Sequence, residues 1–158
     1  PMNILFICTH NRCRSILSEA IANHLSDGRI TAYSAGSQPA GQVHPLTLKY
    51  LEQRGIAIDG LTSQSWDAFA DLVPDVVITV CDNAANEACP LWLGDTLKVH
   101  WGLPDPSKMT GSDDAIKADF FAVMGTIEQR INAMLALDLA VLSTDELSKA
   151  LNKIAQEK

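Results

Sequence analysis

No part of this sequence is apolar for long enough to cross a bilayer: the richest stretches, Val76 to Val80 and Ala133 to Leu142, are too short or too interrupted. Positive charge is scarce as well. Lys and Arg number 12 against 19 Asp and Glu, a formal charge of −7. That excludes a general nucleic-acid surface, which needs clustered cations, so an anionic ligand must be bound by a local positive site. No basic region leads into a hydrophobic stretch with a small-residue cleavage site, and secretion is not expected. Met2 reads as the natural start, with Pro1 an addition given no role. Cysteine is limited to Cys8, Cys13, Cys81 and Cys89. Their Cys-x4-Cys and Cys-x7-Cys spacings lack the tight Cys-x2-Cys pairs of structural zinc sites, so no metal is expected. A cytosolic protein keeps such thiols reduced unless they are catalytic. Repeats, low-complexity segments and linkers are missing too, which leaves one domain over 1–158, expected to be a cytoplasmic monomer.

What is present is an ordinary globular composition, 47% hydrophobic and 20% charged. Asn3 to Ile7 is a short apolar run, as suits a strand buried on both faces. From Ser15 the residues Ile16, Leu17, Ala20, Ile21 and Leu25 recur at helical spacing, with Gly28 as a stop. Further strands are predicted at Ile30 to Ser34, Val76 to Val80 and Leu97 to Trp101. Further helices are predicted from Pro45 to before Gly55, from Asp113 to about Leu135, and from Thr144. This alternation predicts an α/β fold, a four-stranded parallel sheet with helices on both faces. Ligands of such sheets bind outside the carboxyl ends of the strands. Cys8, Cys81 and the loop Pro104-Asp105-Pro106 all follow strand ends.

Between the first strand and the first helix lies Cys8-Thr9-His10-Asn11-Arg12-Cys13-Arg14-Ser15. A loop of this length can curl with its N–H groups inward, making an anion cradle at a helix N-terminus, and Arg14 adds a planar fork suited to tetrahedral oxyanions. The same field favours a thiolate at Cys8, with Ser15 placed to donate to its sulfur and Asn11 to hold an unusual backbone conformation. Thr9, His10, Asn11, Arg12, Cys13 and Arg14 are the expected substrate-binding residues. Within that set Cys13 is expected to pack, Arg12 to sit at the rim and His10 at the surface. Cys8 could instead be a buried strand-end cysteine, but an inert thiol needs none of the Asn, Arg and Ser around it.

Cys-x5-Arg-Ser at this turn, with Ser34-Ala35-Gly36 after the second strand and Asp105-Pro106 after the fourth, resembles the low-molecular-weight tyrosine phosphatase fold. Within that fold, the segment from Val80 through Cys81 and Cys89 to Pro90 resembles the redox segment of the thioredoxin-coupled arsenate reductases. The resemblance covers most of the chain through about Arg130 and implies one of two activities. As a phosphatase, Cys8 would attack phosphorus, Asp105 would protonate the leaving oxygen, and water would release the phosphate. As a reductase in arsenic detoxification, Cys8 would attack arsenate with Asp105 as the acid. Cys81 would then attack the Cys8 sulfur, and Cys89 would move the disulfide to Cys81–Cys89 for an external reductant.

The reductase is the expected activity. Phosphatases of this fold carry tyrosines after the Asp-Pro pair, whereas Ser107-Lys108 stands here, and Gln38 to Gln42 offers no aromatic residue. The implied reductant is thioredoxin, with glutathione and glutaredoxin as the other choice, because Cys81-x7-Cys89 is one residue longer than in well-known thioredoxin-coupled members. No cofactor is expected. Some members bind potassium beside the loop; Asn11, Glu19 and Ser34 match that site, but Gln64 stands where an aspartate is expected. A non-catalytic oxyanion sensor is a further reading, disfavoured because Cys8, Arg14 and Asp105 are all present.

Overall fold

The structure is a computed structural model that describes residues 2–87 and 93–157. In chain order the main elements are β1 (Met2–Ile7), α1 (Arg14–Ser26), β2 (Ile30–Ala35), α2 (Pro45–Gln53), β3 (Val76–Thr79), α3 (Asp82–Asn86), β4 (Leu97–His100), α4 (Asp113–Leu135) and α5 (Thr144–Gln156). Short 3-10 turns lie at Trp66–Phe69 and Pro106–Lys108. The strands form one sheet in the order β2-β1-β3-β4, and every pairing is parallel.

Consecutive strand residues point to opposite faces, so unbroken burial means a sheet covered on both sides. Ile4, Leu5 and Phe6 of β1 and Val76, Val77 and Ile78 of β3 are all fully buried. The centre of the sheet is therefore sealed on both faces. In β4 only Val99 is buried while Lys98 and His100 are exposed, as befits an edge strand. The predicted fourth strand ends one residue early. Trp101 turns off it, buries its ring and donates its indole N–H to the Leu151 carbonyl at 2.9 Å, tying the edge to α5.

The chain leaves β1 to pair with β2 on one side and returns to β3 on the other, so β1 and β3 flank a topological switch point. A crevice opens there at the carboxyl ends of the strands. Ile7 aligns with Thr79 in the β1–β3 register, and the Val80 N–H donates to the Ile7 carbonyl at 3.0 Å. Cys8 and Cys81, the next residues out, thus emerge side by side. Helix starts distinguish this edge further. Ser112 caps α4, Ser143 caps α5 through a full capping box, and His44 caps α2. The starts of α1 and α3, which follow Cys8 and Cys81, carry no side-chain cap. Uncapped helix N–H groups remain available to a ligand.

Candidate active site

The loop after β1 is shaped by Asn11, which is fully buried and has a left-handed φ of 45°, a conformation asparagine tolerates better than most residues. Its amide nitrogen donates to Ser15 Oγ at 2.8 Å and Ser34 Oγ at 3.0 Å. Its amide oxygen accepts the Gln64 N–H at 2.8 Å. Both hydrogens of the amide group are used, so the side chain has one orientation. Ser34 in turn donates to Glu19 Oε1 at 2.5 Å. Gly36, of the Ser34-Ala35-Gly36 motif, is required by contact: a Cβ there would overlap the Thr9 carbonyl oxygen and lie 2.7 Å from that of Cys8. These contacts hold a ring of loop backbone in place beneath Cys8, whose N–H donates to the Ala35 carbonyl at 3.2 Å.

Arg14 opens α1 beside the loop. Its Nη1 donates to the Leu103 carbonyl at 3.1 Å, and its Nη2 lies 3.6 Å from Asp105 Oδ2. The other Asp105 oxygen accepts from the Ser107 N–H at 3.0 Å and from its hydroxyl at 2.6 Å. The acid and the guanidinium are thus brought together across the crevice. Cys13 is buried, and its thiol is pushed up to about 12, chiefly by burial, as fits a packing residue. His10 is exposed, with Nδ1 within 3.0 Å of the Gln38 carbonyl. Arg12 is half-buried at the rim. His44, which no sequence motif singles out, joins it there: its N–H donates to the Arg12 carbonyl at 3.0 Å. Burial and then Arg12 hold its ring below the ordinary histidine range.

Cys81 sits against the loop itself. Its sulfur accepts the Thr9 N–H at 3.4 Å and lies 3.7 Å from the Thr9 hydroxyl, and it shares a hydrogen bond with Cys8. That hydrogen bond and the Thr9 N–H draw Cys81 down to about 5. The same hydrogen bond and burial push Cys8 up, against the pull of Arg14. The sequence predicts the thiolate on Cys8, with Ser15 donating to its sulfur; Ser15 Oγ accepts from Asn11 and keeps its own hydrogen, while the neighbour that pushes Cys8 up is Cys81. The reason is spacing across the sheet, which no local motif reveals. A short helix, α3, follows Cys81, while Cys89 and Pro90 lie outside the described residues.

Asn11, Glu19, Ser34 and Gln64 do converge, but not as a cation site. A cation would need oxygens free to face it. Here the Ser34 carbonyl accepts the Gln64 side-chain N–H at 3.3 Å, and the Asn11 amide oxygen accepts its backbone N–H. The Gln64 amide supplies donors where a cation needs acceptors, so these residues do not fit a bound potassium ion.

The model of the low molecular weight phosphotyrosine protein phosphatase family matches residues 3–153. An arsenate reductase of Halalkalibacterium halodurans is 36% identical over 81% of this chain and 91% of its own. A glutaredoxin arsenate reductase of Synechocystis is 32% identical over 84% and 95%. The solved thioredoxin-dependent arsenate reductase of Corynebacterium glutamicum superposes with a TM-score of 0.60 at 26% identity, over 83% of this chain and 62% of that one. With Cys8, Arg14 and Asp105 in one crevice and Cys81 seated against the loop, the chain belongs to the low molecular weight phosphotyrosine protein phosphatase family and, within it, to the arsenate reductases.

Proposed function

We propose that the chain reduces arsenate to arsenite through a cysteine relay, acting as one domain over 1–158 and as a monomer in the cytoplasm, for arsenic detoxification. The observation that carries this reading is Cys81 resting on the oxyanion loop, its sulfur bonded to the Thr9 N–H at 3.4 Å. A phosphatase has no use for a second low-pKa thiol there. The loop N–H groups of Thr9 to Arg14 and the Arg14 fork bind the oxyanion. Cys8 forms a sulfur–arsenic bond, and one arsenate oxygen leaves as water with a proton from Asp105. The entering anion competes with Cys81 for the loop's field and returns that field to Cys8. Cys81 thiolate then attacks the Cys8 sulfur; a sulfur–sulfur bond forms, the sulfur–arsenic bond breaks, and arsenic leaves with the electron pair. The sum is arsenate and two thiols giving arsenite, a disulfide and water. Cys89 displaces Cys8 from Cys81 by exchange, and a dithiol reductant, thioredoxin or glutaredoxin with glutathione, reduces the Cys81–Cys89 bridge.

The test is arsenite formation from arsenate with thioredoxin and its reductase, or with glutathione and glutaredoxin, for the native chain and for Cys8→Ser, Cys81→Ser and Cys89→Ser. Turnover that disappears in all three supports the relay, and the productive reductant identifies the partner. Hydrolysis of an aryl phosphate that needs only Cys8, with no arsenite formed, would make the chain a phosphatase.

A further inference from the structure

A cavity of about 310 Å³ lies between the oxyanion loop and α3, lined by Thr9, His10, Gln38, Asn83, Asn86 and Glu87. Glu87 closes the carboxyl end of α3 and is half-buried. Its carboxylate turns toward the loop: Thr9 Oγ1 donates to Glu87 Oε1 at 2.7 Å. A threonine hydroxyl has one hydrogen. With that hydrogen committed to Glu87, the Thr9 hydroxyl has none to give the Cys81 sulfur 3.7 Å away, and the one donor Thr9 offers the sulfur is its backbone N–H at 3.4 Å. Glu87 therefore sets the direction of the Thr9 hydroxyl and also fastens the end of α3 to the loop. The other end is held by Asp82 Oδ1, 3.1 Å from His100 Nε2. Between the two ends only Ala84 is buried, so little apolar packing holds α3 down.

We infer that Glu87 is a positioning residue for the second step: by taking the Thr9 hydroxyl hydrogen it keeps α3 closed on the oxyanion loop with Cys81 in reach of the Cys8 sulfur, and its release frees the segment for the exchange with Cys89. The inference rests on the reductase reading and deepens it. Glu87 makes no bond to substrate and moves no electrons; it acts through Thr9.

The experiment uses the full chain carrying Cys89→Ser, so that the relay stops at the Cys8–Cys81 disulfide, with Glu87→Ala or Glu87→Gln added. Three quantities are followed: the rate of disulfide formation after arsenate is added, the affinity for inorganic phosphate, and amide hydrogen exchange over 82–87. Glu87→Ala is expected to slow disulfide formation about tenfold, the size expected for losing one hydrogen bond to a charged group. Phosphate affinity stays within about twofold, since the loop itself is braced elsewhere. Glu87→Gln, whose amide oxygen still accepts the Thr9 hydroxyl, restores most of the rate. Disulfide formation at the parent rate in Glu87→Ala overturns the inference. So does an equal loss in Glu87→Gln, or a parallel fall in phosphate affinity. If the parent forms no disulfide with arsenate, the reductase reading fails. The role of Glu87 is then decided by exchange, which must quicken over 82–87 in Glu87→Ala and not in Glu87→Gln.

Discussion

Two regions meet at the Cys8–Cys81 contact, and they are held by opposite means. The oxyanion loop is braced from inside: Asn11, Ser15 and Ser34 are fully buried and bonded to one another. The α3 segment is fastened at its two ends, by Glu87 to Thr9 and by Asp82 to His100, and Asp82 is almost entirely exposed. The difference matches what the proposed relay asks of each. Stabilising a charge that develops during reaction needs donors fixed beforehand, so that nothing reorganises as the bond forms. Passing a disulfide outward needs an element that can lift away at little free-energy cost, and elements with few buried contacts open locally first. In the proposed relay, one buried network and one polar clasp thus divide positioning from motion.

Breaking the rigid side should have the largest effect. Asn11→Ala places a Cβ-bearing residue without a compensating amide at φ 45°, which costs about 1–2 kcal/mol. It also strips buried Ser15 and Ser34 of a donor, at about 1 kcal/mol or more each. A loss of about 3 kcal/mol in denaturant unfolding is expected, with arsenite formation down about a hundredfold or more, the scale of a lost electrostatic cradle. Gly36→Ala comes next. Its Cβ would meet two loop carbonyl oxygens, the farther of them at 2.7 Å. The loop must shift, costing about 1–3 kcal/mol and weakening phosphate binding about tenfold by titration calorimetry. A variant that bound phosphate normally would show that the loop tolerates movement and would erase the contrast with α3.

How far this division is legible in the sequence depends on the range of the interactions. The periodicities of β1, α1 and α4 place their elements to within a residue or two, because burial imposes those periods directly. Cys8, Arg14 and Asn11 are legible because one short loop contains the whole constellation. Gly36 is legible as a motif, but its reason, the Thr9 and Cys8 carbonyls, needs coordinates. The placement of Cys81 against Cys8 follows from the β1–β3 register, a pairing between segments about seventy residues apart that carries no local signal. Glu87 reads as one more polar residue of an alanine-rich helix. His44 reads as a residue before a proline, and only the fold brings it to the rim. Gln64 stands out in the sequence as a lost charge, whereas in the structure its side-chain amide donates to the Ser34 carbonyl.

The loop's network ends in a charge, and that end can be tested by pH. Burial pushes the Glu19 carboxyl up to about 7, against the pull of the Ser34 hydroxyl. From an ordinary value of 4.5, the folded state then binds more protons than the unfolded one between pH 4.5 and 7. The contribution is fully present below pH 4.5 and is lost as pH rises through 7. Glu19→Gln, which can still accept from Ser34, removes this slope. Relative to the variant, the native chain should lose about 2–3 kcal/mol between pH 4.5 and pH 8, since each tenfold difference in proton affinity between the two states is worth about 1.4 kcal/mol. Urea midpoints at the two pH values measure it. Equal slopes would mean that Glu19 is solvated and the network ends at Ser34.

The smallest expected effect lies on the clasp. His100 sits between Thr79 Oγ1 at 2.8 Å and Asp82 Oδ1 at 3.1 Å. A neutral ring satisfies both with its hydrogen on Nε2, donating to the carboxylate and accepting the threonine hydroxyl at Nδ1. Both ends are open to water, so the pair adds little to global stability. His100→Ala should change the unfolding free energy by less than about 0.5 kcal/mol, below the other substitutions. Yet it removes one of the two fastenings of α3, and amide exchange over 82–87 should quicken about threefold or more while the oxyanion loop is unchanged. If His100→Ala instead lowers stability as much as Asn11→Ala, α3 is part of the rigid frame.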